Sequence, residues 1–170
     1  MSETPLIDPK LIALGKTCID LALAKTQRFA FVESCTGGLI GAAITANTGA
    51  SLVFDGSIVP YSNAAKSRLV GSSSVFIEHG SVSIAAAVAL ALALLAQSDV
   101  DHVIASTGIA GPSGGTPAKP VGFMCLAAAS RSGHRQSRAV YVDPDLDRSA
   151  IIIRCAEIVL VLLTQVLAAP

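Results

Sequence analysis

The chain has 170 residues, 12 Lys and Arg balanced by 12 Asp and Glu, three His, four Cys and no Trp. Hydrophobic types make up 52% and charged types only 14%, against about 25% charged in ordinary globular domains. The length fits one domain, residues 1–170 with a core of about 10–167. Zero net charge without a Lys/Arg cluster argues against a nucleic-acid partner, and the apolar fraction excludes disorder.

A mean hydropathy of +0.63 makes a membrane protein the first rival. The longest uncharged apolar run, Ile84 to Ala96, falls short of the ~20 residues that a spanning helix needs. The C-terminal apolar stretch is broken by Arg154 and Glu157, and the start, MSETPLIDPK, lacks the basic and apolar blocks of a signal peptide. The expectation is a cytoplasmic domain with no membrane partner and a small-residue interior of 28 Ala and 14 Gly. Cys18, Cys35, Cys125 and Cys155 show no pairing or ligand spacing, and His79, His102 and His134 are scattered. Neither metal nor cofactor is indicated.

In chain order, Lys10 to Gln27 has helical spacing. Phe29 to Val32 is a short apolar run that meets Glu33-Ser34-Cys35-Thr36-Gly37-Gly38 at once, and a second helix covers Leu39 to Ala46. Val53 to Val59 reads as a strand bent at Gly56. Ser62 caps a short helix ending at Val70 with Gly71 just beyond it. Ser81 or Ser83 caps an Ala/Leu-rich helix through Leu95, and His102 to Ser106 is a strand that runs into a Gly-rich loop, Thr107 to Thr116. Val121 to Ala129 and Arg138 to Val142 form an antiparallel hairpin. A last helix starts at Asp147 or Ser149 and reaches Leu167. Alternating strands and helices predict an α/β fold: a sheet covered on both faces, mixed because the hairpin is added late.

Three constellations could carry chemistry. Ser34 lies in a strand-to-helix turn, where α/β sheets gather ligands, and the N–H groups of the next helix could hold an anion. On the turn alone, a helix cap is the commoner reading. Lys66 follows a stretch from Cys35 to Ala65 whose single charge is Asp55; burial would depress its pKa and make it a general base, with Tyr61 offering a hydroxyl. The loop from Thr107 offers backbone N–H groups to a ligand, but it lacks the Gly-Lys-Ser/Thr ending of a P-loop. Cys35 is a rival nucleophile without a histidine partner, and reads as a small buried thiol. Arg148 opens the last helix, where it opposes the dipole; it pairs with Asp143, Asp145 or Asp147, or reaches a ligand anion.

In order, Glu33-Ser-Cys-Thr-Gly-Gly38, Tyr61-Ser-Asn-x-x-Lys66, His79-Gly-x-Val-Ser83, Thr107-Gly-Ile-Ala-Gly-Pro112 and Lys119-Pro-Val-Gly122 resemble the nicotinamide-nucleotide amidohydrolases. This family is also known as the C-terminal domain of the competence/damage-inducible protein CinA, and the resemblance runs from about Leu11 to Leu163. It implies a three-layer α/β/α sandwich. It also implies hydrolysis of the carboxamide of nicotinamide mononucleotide to nicotinate mononucleotide and ammonia, without a metal, in pyridine-nucleotide salvage. By resemblance the nucleophile falls on Ser34, the general base on Lys66 and the assisting hydroxyl on Tyr61. Substrate binding falls on Thr36, Gly37, Gly38, Asn63, Thr107, Gly108, Gly111 and Arg148.

The sequence departs from the family pattern at Pro60 (usually Thr), at Ile84, at Leu146 before Asp147-Arg148 (usually Gly) and at Ile152 (often Arg). The amino-terminal molybdopterin-binding-like domain of longer relatives is expected to be absent. The alternatives are a nucleotide-binding or regulatory module that turns over weakly or not at all, and an amidase for another small amide. A homodimer is expected, because residues 151–166 carry more apolar surface than one sheet face needs.

Overall fold

The computed structural model describes residues 6–169; the first half of the N-terminal segment read above against a signal peptide lies outside them. The elements are α1 (Pro9–Lys25), β1 (Phe29–Glu33), α2 (Leu39–Thr45), α3 (Ala50–Val53), β2 (Phe54–Ile58), α4 (Asn63–Val70), α5 (Ser74–His79), α6 (Ile84–Gln97), β3 (His102–Gly108), β4 (Phe123–Ser130), β5 (Arg135–Tyr141) and α7 (Arg148–Ala168). The five strands make one sheet in the order β2-β1-β3-β4-β5. β1 runs parallel to β2 and β3, whereas β4 is antiparallel to both β3 and β5. This is the mixed sheet with a late hairpin that the sequence predicts.

Two apolar layers sandwich the sheet. Phe29, Phe31 and Ile104 face α1, α2 and α7 in one core, while Ala30, Val32, Val103 and Ala105 face α5 and α6 in the other. β1 is therefore buried on both faces, as a strand inside a covered sheet must be. In α6, Ala86, Ala87 and Ala91 alternate with Leu90 and Leu94 on the buried side, and their small side chains let the helix lie close to β3 and β4. Much of the unusual composition is this contact.

Capping follows the predicted residues. Ser62 Oγ accepts from Ala65 N at 3.1 Å, Ser83 Oγ from Ala86 N at 3.1 Å, and Asp147 Oδ1 from Ala150 N at 2.8 Å; Gly71 ends α4 with φ +77°. Ser83 and Asp147, not Ser81 and Ser149, are the caps. Strands β2 and β5 depart from the sequence reading. Val53 closes the one-turn α3 and the strand begins at Phe54. A register shift opposite Phe29 and Ala30 skips Asp55, whose carboxylate accepts from Arg28 Nη2 at 2.7 Å. β5 begins at Arg135 because Arg135 pairs with Ala129 across the hairpin.

α7 is the one helix among the described residues long and apolar enough to cross a membrane, with a mean hydropathy of 2.2 in its most apolar window. Ten of its side chains are buried in the fold. Glu157 is among them, and both Lys10 and Arg154 pair with it, so the charge that interrupts the apolar run ties α1 to α7. Of its large apolar residues only Ile153 and Val161 are exposed. The surface expected to supply a dimer face is largely consumed by α1, α2 and the sheet.

Candidate active site

β1 and β3 end side by side, with Glu33 opposite Ser106. Beyond that edge the chain turns through Ser34–Gly38 into α2, and Ser34 N is held by Ser106 O at 3.2 Å. From the opposite layer, α4 brings Lys66 under the same edge. A cavity of about 260 Å³ opens there. Its walls are Ser34, Cys35, Tyr61 and Lys66, the segment Gly108–Gly111, Ser113 and Gly114, and Arg148. Six of the eleven predicted site residues thus meet in one place: Ser34, Tyr61, Lys66, Gly108, Gly111 and Arg148.

The other five do not line the cavity. Thr107 Oγ1 donates to Ser81 O at 2.8 Å, because alternation along β3 turns Thr107 toward the α6 layer and leaves Gly108 at the cavity. Asn63 sits on the exposed start of α4, its Oδ1 accepting from Ser81 Oγ at 2.6 Å. These two bonds clamp the 80–83 segment between β3 and α4. Thr36, Gly37 and Gly38 form the turn itself. Gly37 and Gly38 have φ +61° and +100°, a region open to glycine.

Thr36 and Gly38 serve a residue that sequence reasoning missed. Glu33 is fully buried. Its Oε2 accepts from Thr36 Oγ1 at 2.9 Å, Gly38 N at 3.0 Å and Ile40 N at 3.1 Å; its Oε1 accepts from Gly41 N and Ser57 Oγ, each at 2.8 Å. The expectation that the N–H groups of α2 hold a substrate anion is therefore corrected: the protein's own carboxylate occupies them. Among the described residues, no carbonyl or carboxylate accepts from the N–H groups of Cys35 and Thr36, which precede that cluster. The signal in the sequence was a carboxylate ending the apolar run Phe29–Val32.

Lys66 is 4% exposed. Burial pulls its pKa below the ordinary 10.5, against the opposing effect of the nearby Cys35 sulfur. Cys35 is buried in the α7-side core, and its thiol is lowered chiefly by a hydrogen bond with Cys155, while the same contact pushes Cys155 up. Arg148 Nη1 donates to Gly111 O at 2.5 Å and Nη2 to Tyr61 OH at 2.8 Å. Its guanidinium is thus fixed at the cavity by the loop and the tyrosine, and among the described residues it forms no ion pair with Asp143, Asp145 or Asp147. Ser34 Oγ, Tyr61 OH and Lys66 Nζ share the cavity wall without hydrogen bonds to one another. Lys66 and Arg148 are the charged residues of the lining, and no carboxylate joins them: the cavity is cationic. Among the described residues no cluster of three or more His, Cys, Asp or Glu converges as a metal site would require.

The CinA C-terminal domain family matches residues 12–167. The chain belongs to that family. CinA-like proteins of Synechococcus sp. (strain CC9902) and Chlorobium phaeovibrioides (strain DSM 265 / 1930) are 49% identical over 108 residues and 41% identical over 139 residues. These alignments cover 63% and 78% of this chain but 26% and 32% of the relatives, so the chain spans about a quarter to a third of their length. The fold is similar to that of the competence/damage inducible protein CihA from Agrobacterium tumefaciens, with a TM-score of 0.91, 31% identity and coverage of 98% of this chain and 100% of that one. It is also similar to a competence-damaged protein (CinA) superfamily protein from Klebsiella pneumoniae, with a TM-score of 0.87, 26% identity and coverage of 93% and 98%. The positions at which this chain departs from the CinA pattern, Pro60, Ile84, Leu146 and Ile152, all lie outside the cavity lining.

Proposed function

We propose that this CinA-family chain hydrolyses the carboxamide of nicotinamide mononucleotide to nicotinate mononucleotide and ammonia. The observation that carries the reading is a serine and a buried lysine on the wall of one cavity that also holds Arg148 and no carboxylate. Lys66, its pKa depressed, takes the Ser34 proton as Oγ attacks the amide carbon. The N–H of Cys35, which lines the cavity and has no carbonyl or carboxylate partner among the described residues, is the donor left to receive the developing oxyanion. Lys66 then returns the proton to the departing nitrogen, releasing ammonia and leaving an ester on Ser34. Water attacks that ester with Lys66 again as base, which frees the carboxylate. Arg148 meets the phosphate with its charge, held in place by Gly111 O and Tyr61 OH. The tyrosine keeps its own proton for donation into the cavity.

Four free, buried cysteines suit a reducing compartment, and the cytoplasm is the proposed location. A homodimer is proposed as well, its ground reduced to the exposed Ile153 and Val161 of α7, with light scattering at micromolar concentration as its test. The function is tested by ammonia release from nicotinamide mononucleotide by the wild type and Ser34→Ala. Turnover that disappears in the variant supports the reading. Tight binding with no turnover in either protein instead identifies a binding module.

A further inference from the structure

We propose that Glu33 is a positioning residue for Ser34: its buried carboxylate gathers the strand-to-helix turn so that the nucleophile and the backbone of Cys35 are held at the cavity wall. The inference rests on the reading of Ser34 as nucleophile. Glu33 directly precedes Ser34, ends β1 and is wholly buried, with no basic side chain among its hydrogen-bond partners. Five donors converge on it instead, from the turn, from α2 and from β2. A carboxylate is an acceptor at both oxygens, and all five partners are donors. The seat is built around it: a Cβ at Gly41 would meet Ser57 Oγ at 2.6 Å and Glu33 Oε1 at 3.4 Å.

The arrangement divides the N–H groups of the turn. Gly38, Ile40 and Gly41 are committed to Glu33, Ser34 N to Ser106 O, and Gly37 N to Ser34 O. What remains unclaimed is Cys35 N and Thr36 N, next to the nucleophile. Thr36 is held at both ends: its hydroxyl is on Glu33 and its carbonyl accepts from Leu39 N at 3.1 Å. A geometry tied at this many points does not rearrange as charge develops, and that is the property an oxyanion site needs.

The test is Glu33→Gln. Whichever way the amide is turned, its NH2 faces at least one backbone N–H that can only donate, so the turn loses part of its anchor while the side-chain volume stays. The first readout is modification of Ser34 by phenylmethylsulfonyl fluoride, followed by intact mass; it needs no natural substrate. We expect labelling to slow at least tenfold, since a misplacement of about 1 Å can cost up to 10²-fold. The second readout is ammonia release from nicotinamide mononucleotide, where kcat should fall with KM within about threefold, because the phosphate contact at Arg148 is untouched. Ser57→Ala, which withdraws one donor from Oε1 outside the cavity, should slow labelling about threefold and decides the matter if Glu33→Gln does not fold. Labelling at the wild-type rate in the folded variant, or no labelling of Ser34 in the wild type, overturns the proposal. A rise in KM without loss of kcat overturns it as well. A wild type that is labelled but releases no ammonia sinks the substrate reading instead.

Discussion

Replacing Lys66 with Met separates chemistry from stability. The four-carbon stem is nearly matched, so the packing of α4 against α6 survives, but the amine is gone. The cavity lining holds no His, Asp or Glu and the Cys35 thiol is engaged with Cys155, so Lys66 is the group placed for general-base work. General-base catalysis contributes about 10²–10⁴-fold, or roughly 3–5 kcal/mol of barrier at 1.36 kcal/mol per tenfold. With no substitute at hand, the loss in kcat should fall in the upper half of that range.

Stability should move the other way. The folded-state pKa of Lys66 lies below the ordinary 10.5 because burial disfavours the ammonium. Between the two values the unfolded chain binds more protons, so wild-type stability rises as pH climbs through that window. Below it, the folded state carries a fixed penalty of about 1.4 kcal/mol per unit of depression. Met removes the penalty. The variant should melt higher than wild type at pH 7, by roughly 2–4 °C per kcal/mol in a chain of this size, and the gap should close as pH approaches 10.5. The assays are ammonia release and thermal melting followed by circular dichroism across pH 6–10.5. A variant within tenfold of wild-type kcat, or one that melts lower with a pH-independent gap, refutes the reasoning. In the wild type, activity should rise with pH as Lys66 loses its proton, with a midpoint below 10.5.

Ser34→Ala should abolish ammonia release and sulfonyl fluoride labelling while leaving the melting temperature nearly unchanged, since Ser34 anchors the turn through its backbone. Arg148→Gln should raise KM for nicotinamide mononucleotide by about 10–100-fold, the equivalent of a charge-assisted hydrogen bond of roughly 1.5–3 kcal/mol. The same variant should leave rates on nicotinamide and its riboside unchanged; equal losses on all three would place Arg148 in the chemistry rather than at the phosphate. Gly122→Ala tests the fold: Gly122 has φ +85°, and an added Cβ would lie 2.1 Å from Val142 O. Urea denaturation should show a loss of about 3 kcal/mol or more, and a loss below 1 kcal/mol would refute the steric argument.

Much of this molecule was readable from local pattern. The Ser62 and Ser83 caps, the buried β1 and the hairpin all follow from side-chain chemistry within a few residues, and each occurs where the local sequence favours it. Ser34, Tyr61 and Lys66 were legible because ordered motifs carry them into a resemblance, and the sparse charge around Lys66 anticipated its burial. The roles of Thr107 and Asn63 were not, because each depends on Ser81, a residue 18 to 26 positions away that only the packing of α6 brings near. α7 shows the same division. Its sequence determines a long apolar helix with one carboxylate, but only its packing against α1 shows that Glu157 is paired and the apolar surface spent inside the fold.

Glu33 marks the boundary most clearly. The sequence alone places a carboxylate beside a serine and two glycines, a pattern that suits a solvated turn as well as a buried anchor. Its meaning depends on where five donors from the turn, α2 and β2 end up, and three dimensions bring them onto two oxygens. Composition and local pattern determined which segments are strands and helices, because backbone propensity and burial period act over a few residues. The tertiary structure decided which N–H groups are spent and which are left without a protein partner, because hydrogen-bond satisfaction is settled between elements distant in the chain.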